Sequence, residues 1–166
     1  MIGNATGAMH FASAIAALVL GAMVLGAPKG TVFHRTIGAG YVAAMVILNV
    51  SALAIYRLTG HFEPFHGLAL LSLATVAGGI VPALRRRPGW LMTHYWNMAW
   101  SYIALLAAAC SEIVVRLLLR TGTFTSPWHV IGVGMAIAVL FVALGMVVLP
   151  RLRRTAMAHI AEQSPA

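Results

Sequence analysis

Residues 59–66 read TGHFEPFH and residues 121–129 read TGTFTSPWH, two stretches that share one pattern. Each has Thr-Gly, a phenylalanine two residues after the glycine, and then proline, an aromatic residue and histidine. The second copy is one residue longer. An apolar stretch that opens with histidine precedes each copy, at His34 and His94. Internal repeats of this size are typical of membrane bundles. We therefore predict a helical hairpin that occurs twice and carries histidines at both ends.

The composition excludes an ordinary soluble domain. Of the 166 residues, 61% are hydrophobic and 8% are charged, whereas roughly a quarter of the residues are charged in soluble domains. Lipid must therefore cover much of the surface. The net charge of +8 does not predict nucleic-acid binding, because the basic residues stand at the ends of apolar runs.

Five apolar runs approach the roughly 20 residues needed to cross a bilayer. They cover residues 8–27, 36–56, 65–84, 94–118 and 128–149. This predicts an all-α membrane bundle of five transmembrane helices, as a single domain over residues 1–150. We expect a four-helix core made of two parallel-repeat hairpins, with the N-terminal helix packed alongside. Residues 151–166 are predicted to form a basic, then polar tail.

The distribution of basic residues predicts the orientation. The side that holds the first loop, the third loop and the tail carries eight lysines and arginines, against three on the other side. Basic residues stay on the cytoplasmic side of a membrane. We therefore expect the C-terminus in the cytoplasm and the N-terminus outside. The first 28 residues contain no lysine or arginine, so we expect the first run to be a retained helix rather than a signal peptide.

This topology sorts the histidines into two layers. His34 and His94 begin the second and fourth helices at the inner face, whereas His66 and His129 begin the third and fifth at the outer face. Two neutral imidazoles from facing helices can ligate one haem iron. The repeat supplies such a pair twice, so we expect haem b to be held by His34 with His94, and by His66 with His129.

Polar side chains also form stripes along two helices. On the second helix the stripe runs from His34 through Tyr41 to Asn49, and on the fourth from His94 through Ser101 to Glu112. Because polar side chains inside a membrane usually face the bundle interior, we expect the two stripes to face each other.

Two alternatives to haem follow from the same residues. The outer face gathers four groups that bind zinc, copper or non-haem iron, which predicts a metal-binding or transport protein; they are His10, His66, His129 and Glu112. Alternatively, Glu112 forms an ion pair with Arg116 one turn later. The histidines are then structural, and the chain is a non-catalytic helper subunit.

The chain also resembles a family of predicted bacterial membrane proteins of unknown function. The resemblance covers about residues 30–120 and rests on FHRTIGAGYV at residues 33–42, HFEPFH at 61–66, HYWNM at 94–98, and Glu112 with Arg116. It implies an integral membrane helical bundle and no assigned activity. We expect the protein in the bacterial inner membrane. The placement of the four paired histidines separately resembles di-haem cytochromes b, which implies two haems and electron transfer across the membrane.

The preferred hypothesis is therefore a small inner-membrane redox protein that binds haem b through paired histidines. It would take electrons from a quinol or a soluble donor and move them across the membrane. The sequence leaves open whether it forms a homo-oligomer or joins a partner subunit, and whether it is an enzyme.

Overall fold

The computed structural model describes residues 5–55, 60–123 and 126–162, with side chains as far as residue 153. Within these ranges the chain forms α-helices and no strand. The helices are α1 (Ala5–Gly26), α2 (Val32–Leu53), α3 (Pro64–Arg85), α4 (Trp90–Arg120) and α5 (Pro127–Glu162). Each is long and apolar enough to cross a membrane. The predicted all-α class with five spans is confirmed.

Short turns separate the helices because glycine reverses the chain beside them. Gly30, Gly89 and Gly122 have φ values of 79°, 78° and 69°, in the region that other residues rarely adopt. Consecutive helices therefore run in opposite directions. The ends of α1, α3 and α5 lie on the same side as the starts of α2 and α4. We call this side the basic end, since it carries Lys29, Arg35, Arg85, Arg86, Arg87, Arg151 and Arg153.

Each helix extends beyond its predicted span at one end or both, and the differences in α4 and α5 have clear physical causes. Helix α4 begins at Trp90 with Gly89 as its N-cap residue, four residues before the predicted start at residue 94. Helix α5 continues through Pro150 to Glu162, although the apolar run predicted an end at about residue 149. Proline removes one helical hydrogen bond, but the following arginines, alanines and methionine favour helix.

Helices α1 to α4 build the central core. Its buried cluster combines one residue of α1, four of α2 and one each of α3 and α4: Ala17, Tyr41, Ala44, Met45, Leu48, Val76 and Leu105. Helix α5 packs mainly against α4. The sequence assigned the core to the two hairpins with α1 alongside, whereas in the described structure α1 belongs to the buried cluster and α5 packs alongside it. Small residues explain this, because Ala17 and Gly21 let α1 approach the rings of Tyr41 and Tyr102.

The outer surface of the bundle is apolar. Leu84, Ile113 and Trp128 are 76%, 67% and 71% exposed, and many other large aliphatic side chains are also open on the helix surfaces. A soluble monomer rarely exposes apolar patches of this extent. The bundle is therefore surrounded by lipid along its length.

Candidate functional site: a histidine pair at the basic end

The rings of His34 and His94 meet at the basic end of the bundle. Their centroids are 6.5 Å apart and their planes are inclined by 75°. His34 lies in the first turn of α2. Thr31 is the N-cap residue of this helix, and its Oγ1 accepts the His34 N–H at 3.1 Å. His94 lies one turn into α4. The expected meeting of these two histidines is confirmed.

A hydrogen bond fixes the tautomer of His94. Its Nδ1 lies 3.0 Å from the carbonyl oxygen of Gly79 in α3. A carbonyl only accepts, so Nδ1 carries the proton and Nε2 of the neutral ring keeps its lone pair. Histidines that bind metals are oriented in the same way, by an Nδ1–H donated to a backbone carbonyl.

His34 has an unsatisfied ring nitrogen. Its Nδ1 is buried and has no hydrogen-bond partner among the described residues. Leaving a buried polar atom unpaired costs about 1–3 kcal/mol, and such atoms often mark a site for a ligand or ion. The pair therefore offers a lone pair on His94 and an unpartnered nitrogen on His34.

Lys29 and Trp90 border the pair. Lys29 donates from Nζ to the carbonyls of Val24 and Leu25, at 2.8 Å each, and closes the end of α1. Burial lowers the pKa of the Lys29 ammonium, because the charged form is poorly solvated there. The indole of Trp90 lies with its ring centroid 6.3 Å from that of His94.

A buried hydrogen bond joins α2 and α4 behind the pair. Tyr41 Oη and Ser101 Oγ are 2.9 Å apart, and the Ser101 residue is fully buried. The two polar stripes therefore face each other, as predicted, along the part of α2 and α4 that runs from the His34–His94 pair to the Tyr41–Ser101 pair. At the far end of the stripe on α2, Asn49 instead donates to the carbonyl of Met45 in its own helix.

The outer histidines occupy three different environments. His66 is buried at the start of α3, with 3% of its surface exposed. His10 bonds through Nδ1 to the Leu48 carbonyl and to Ser51 Oγ, both at 3.2 Å. His129 is exposed at the start of α5.

Both ring nitrogens of His66 are used by the backbone. Nδ1 accepts the N–H of Glu63 at 3.0 Å in a capping box. Nε2 therefore carries the proton, and it lies 3.2 Å from the Ile55 carbonyl. Neither nitrogen keeps a lone pair for iron, so this arrangement does not support His66 as a haem ligand.

The structure does not assemble the predicted outer metal site. Arg116 Nε donates to Glu112 Oε1 at 2.6 Å, and both side chains are about half exposed, at 42% and 50%. In the part of the chain that the structure describes, no three histidine, cysteine or acidic side chains are grouped to hold a metal ion. The ion-pair interpretation of Glu112 is confirmed.

Sequence reasoning missed the burial of Glu63. It lies in the Glu-Pro-Phe-His stretch, before the third predicted span, yet it is only 6% exposed. The available signal was Pro64 at the first helical position, which makes Glu63 the N-cap residue and His66 the third residue of the helix.

The fold and this site define an integral membrane bundle of five helices with a histidine pair at one end. Comparison with known families places the chain: it matches the family described as predicted membrane protein (DUF2306) over residues 7–152. It belongs to that family, in agreement with the resemblance found in the sequence. No curated protein matches the chain, and no solved structure matches it.

Proposed function

We propose that this protein is a small membrane redox protein in which His34 and His94 hold one haem b. The observation that carries the proposal is the pairing of these rings across α2 and α4, 6.5 Å apart at their centroids. Two imidazoles on opposite sides of one metal ion have centroids roughly 6 Å apart, since each metal–nitrogen bond is about 2 Å long. The observed spacing would allow both rings to hold one haem iron.

The donor chemistry of the pair also supports haem. Both ligands are imidazoles from facing helices, the arrangement that holds haem in many electron carriers. His94 is already oriented by Gly79, and His34 gains a partner for its unpaired Nδ1. Gly38 follows His34 by one turn, and a Cβ added there would meet no heavy atom of the described residues within 4 Å. This leaves space on the α2 side of the pair for a flat macrocycle.

Haem b would supply one-electron transfer at this end of the bundle. The residues of the chain would hold and orient it, with Gly79 fixing the His94 ring and Trp90 covering one side. Since His34 and His94 are only half-buried, the haem edge would be accessible to a quinol in the bilayer or to a soluble donor. The proposal covers one haem, because the contacts of His66 do not support a second one.

The charge distribution supports a cytoplasmic position for this site in a bacterial inner membrane. Seven basic residues of the described chain lie at the basic end, whereas Arg116 and Arg120 lie near the other. The N-terminus would then be outside.

Alanine variants test the haem proposal. The amount of bound haem per chain is measured for His34→Ala and His94→Ala, produced with haem supplied during expression. Each variant should lose most of the haem. His129→Ala is the matched control, because His129 also begins a helix but is exposed, and it should keep the haem. Equal haem content in all three variants would contradict ligation by this pair.

A helper subunit is the second candidate, and one observation favours it. His10, His66 and His94 each contact a backbone carbonyl of a different segment, those of Leu48, Ile55 and Gly79. Histidines used in this way tie helices together and need no cofactor. This candidate predicts colourless protein and reduced thermal stability in His94→Ala, without any change in bound cofactor.

A further inference from the structure

A cavity of about 250 Å³ opens between the end of α3 and the start of α4, beside the histidine pair, with Trp90 between the two. Seven residues line it: Val81, Pro82, Arg85, Arg87, Pro88, Trp90 and Thr93. Two of them are arginines, while Val81 and Trp90 give it an apolar side. The cavity could hold a small headgroup but not a whole lipid, since pockets for larger ligands start at roughly 300 Å³.

Among the described side chains, no acidic group neutralises the positive charge in this cavity. The chain has three acidic residues, of which Glu162 lies beyond the described side chains. Glu112 is paired with Arg116 near the end of α4, and Glu63 caps α3 at the end opposite Arg85. Within the described side chains, neither Arg85 nor Arg87 forms an ion pair. Two unpaired guanidiniums beside one cavity favour an anionic ligand, and they fit phosphate oxygens well.

The start of α4 adds to this positive field. Gly89 is the N-cap residue and has no side chain to accept the first N–H groups of the helix. Such a helix start carries a partial positive charge and attracts anions. Thr93 also lines the cavity one turn later, with its hydroxyl donated to the Gly89 carbonyl at 3.3 Å.

The surroundings of the cavity fit a lipid better than a free ion. It lies where α3 ends and α4 begins, and tryptophan side chains such as that of Trp90 are common at the headgroup level of a bilayer. Val81 and Leu84, on the adjoining surface of α3, are 41% and 76% exposed. An acyl chain could lie along this surface while its headgroup enters the cavity. Basic pockets between membrane helices bind anionic headgroups in this manner.

We infer that this cavity is a binding site for the phosphate group of an anionic phospholipid. Arg85 and Arg87 bind the phosphate oxygens, the start of α4 adds its partial charge, and the exposed side of α3 contacts the acyl chains. The inference does not require haem, because His34 and His94 do not line the cavity, although Trp90 borders both sites.

Arginine substitutions give a direct test with an internal control. Full-length protein is purified in detergent and mixed with phosphatidylglycerol or phosphatidylcholine, and retained lipid is counted by native mass spectrometry. The intact protein should retain one phosphatidylglycerol and release phosphatidylcholine. Arg85→Gln and Arg87→Gln should each weaken retention about fivefold, since one basic residue near an anionic lipid contributes about 1 kcal/mol. Arg86→Gln is the matched control, because Arg86 belongs to the same run but does not line the cavity.

Three outcomes would overturn the inference. Equal losses of phosphatidylglycerol retention in all three arginine variants would mean that the basic end attracts anionic lipid in general, without a specific site in the cavity. Equal retention of both lipids by the intact protein would mean that the headgroup charge is not recognised, and this comparison needs no variant to fold. Displacement of the lipid by inorganic phosphate alone would mean that the ligand is the free ion.

Discussion

At the scale of single residues, small side chains determine how closely the helices approach. Gly21 in α1 faces the rings of two tyrosines: a Cβ added there would overlap Tyr102 and would lie 3.1 Å from Tyr41 Cε2. Aromatic rings in a packed core cannot move aside easily. The glycine is therefore required by α1–α2–α4 packing rather than by backbone conformation.

Gly21→Ala should consequently destabilise the bundle, although alanine is the better helix former. Overpacking typically costs about 1–3 kcal/mol, and we expect a lower midpoint of thermal unfolding, followed in detergent by tryptophan fluorescence. Gly132→Ala is the control, since nothing lies within 4 Å of the added Cβ and the midpoint should stay or rise slightly. A similar midpoint for both variants would show that α1 does not pack as described.

The hydrogen bond between Tyr41 and Ser101 makes a second residue-scale prediction. Tyr41→Phe removes the hydroxyl that Ser101 Oγ contacts at 2.9 Å, and a bond of this kind contributes about 0.5–1.5 kcal/mol to stability. In a double-mutant cycle with Ser101→Ala, the two losses should be less than additive, because either change breaks the same bond. Strict additivity of the unfolding free energies would mean that the side chains do not interact.

At the scale of elements, the start of α3 depends on its capping box. His66→Ala removes both the acceptor for the Glu63 N–H and the contact with the Ile55 carbonyl. Because buried backbone groups are left unpaired, we expect a loss of about 1–3 kcal/mol, seen as a lower thermal midpoint. His129→Ala should lower the midpoint less than His66→Ala does, since the His129 side chain is exposed. A larger drop of the thermal midpoint in His129→Ala than in His66→Ala would contradict the capping role of His66.

The elements could be predicted well from the sequence, whereas their contacts could be predicted only in part. Apolar runs and glycine turns located all five helices, and the spacing of polar residues indicated that the stripes on α2 and α4 face each other. The ends of α4 and α5 were misjudged, because polar residues next to a span can continue a helix. The hydrogen bond that occupies Nε2 of His66 could not be predicted, since its partner is the Ile55 carbonyl, which lies eleven residues away in sequence.

At the scale of the whole molecule, the asymmetry of charge determines the predicted orientation. With Cys110 replaced by alanine, a single cysteine introduced at Ser164 or at Gly3 reports the side of each terminus in intact cells. A maleimide that does not cross membranes should label the cysteine at position 3 and leave that at position 164 unlabelled until the cells are permeabilised. The opposite pattern would place the basic end, and with it the histidine pair, outside.

The central claim is that the histidine pair at the basic end holds haem b, and an absorption spectrum tests it most directly. The detergent-purified protein, produced with haem supplied, is measured after oxidation in air and again after reduction with dithionite. We predict a Soret band that shifts on reduction and sharp α and β bands, as expected for iron with two imidazole ligands. A colourless protein that folds with the same thermal midpoint would contradict the claim and leave the histidines as structural ties between helices.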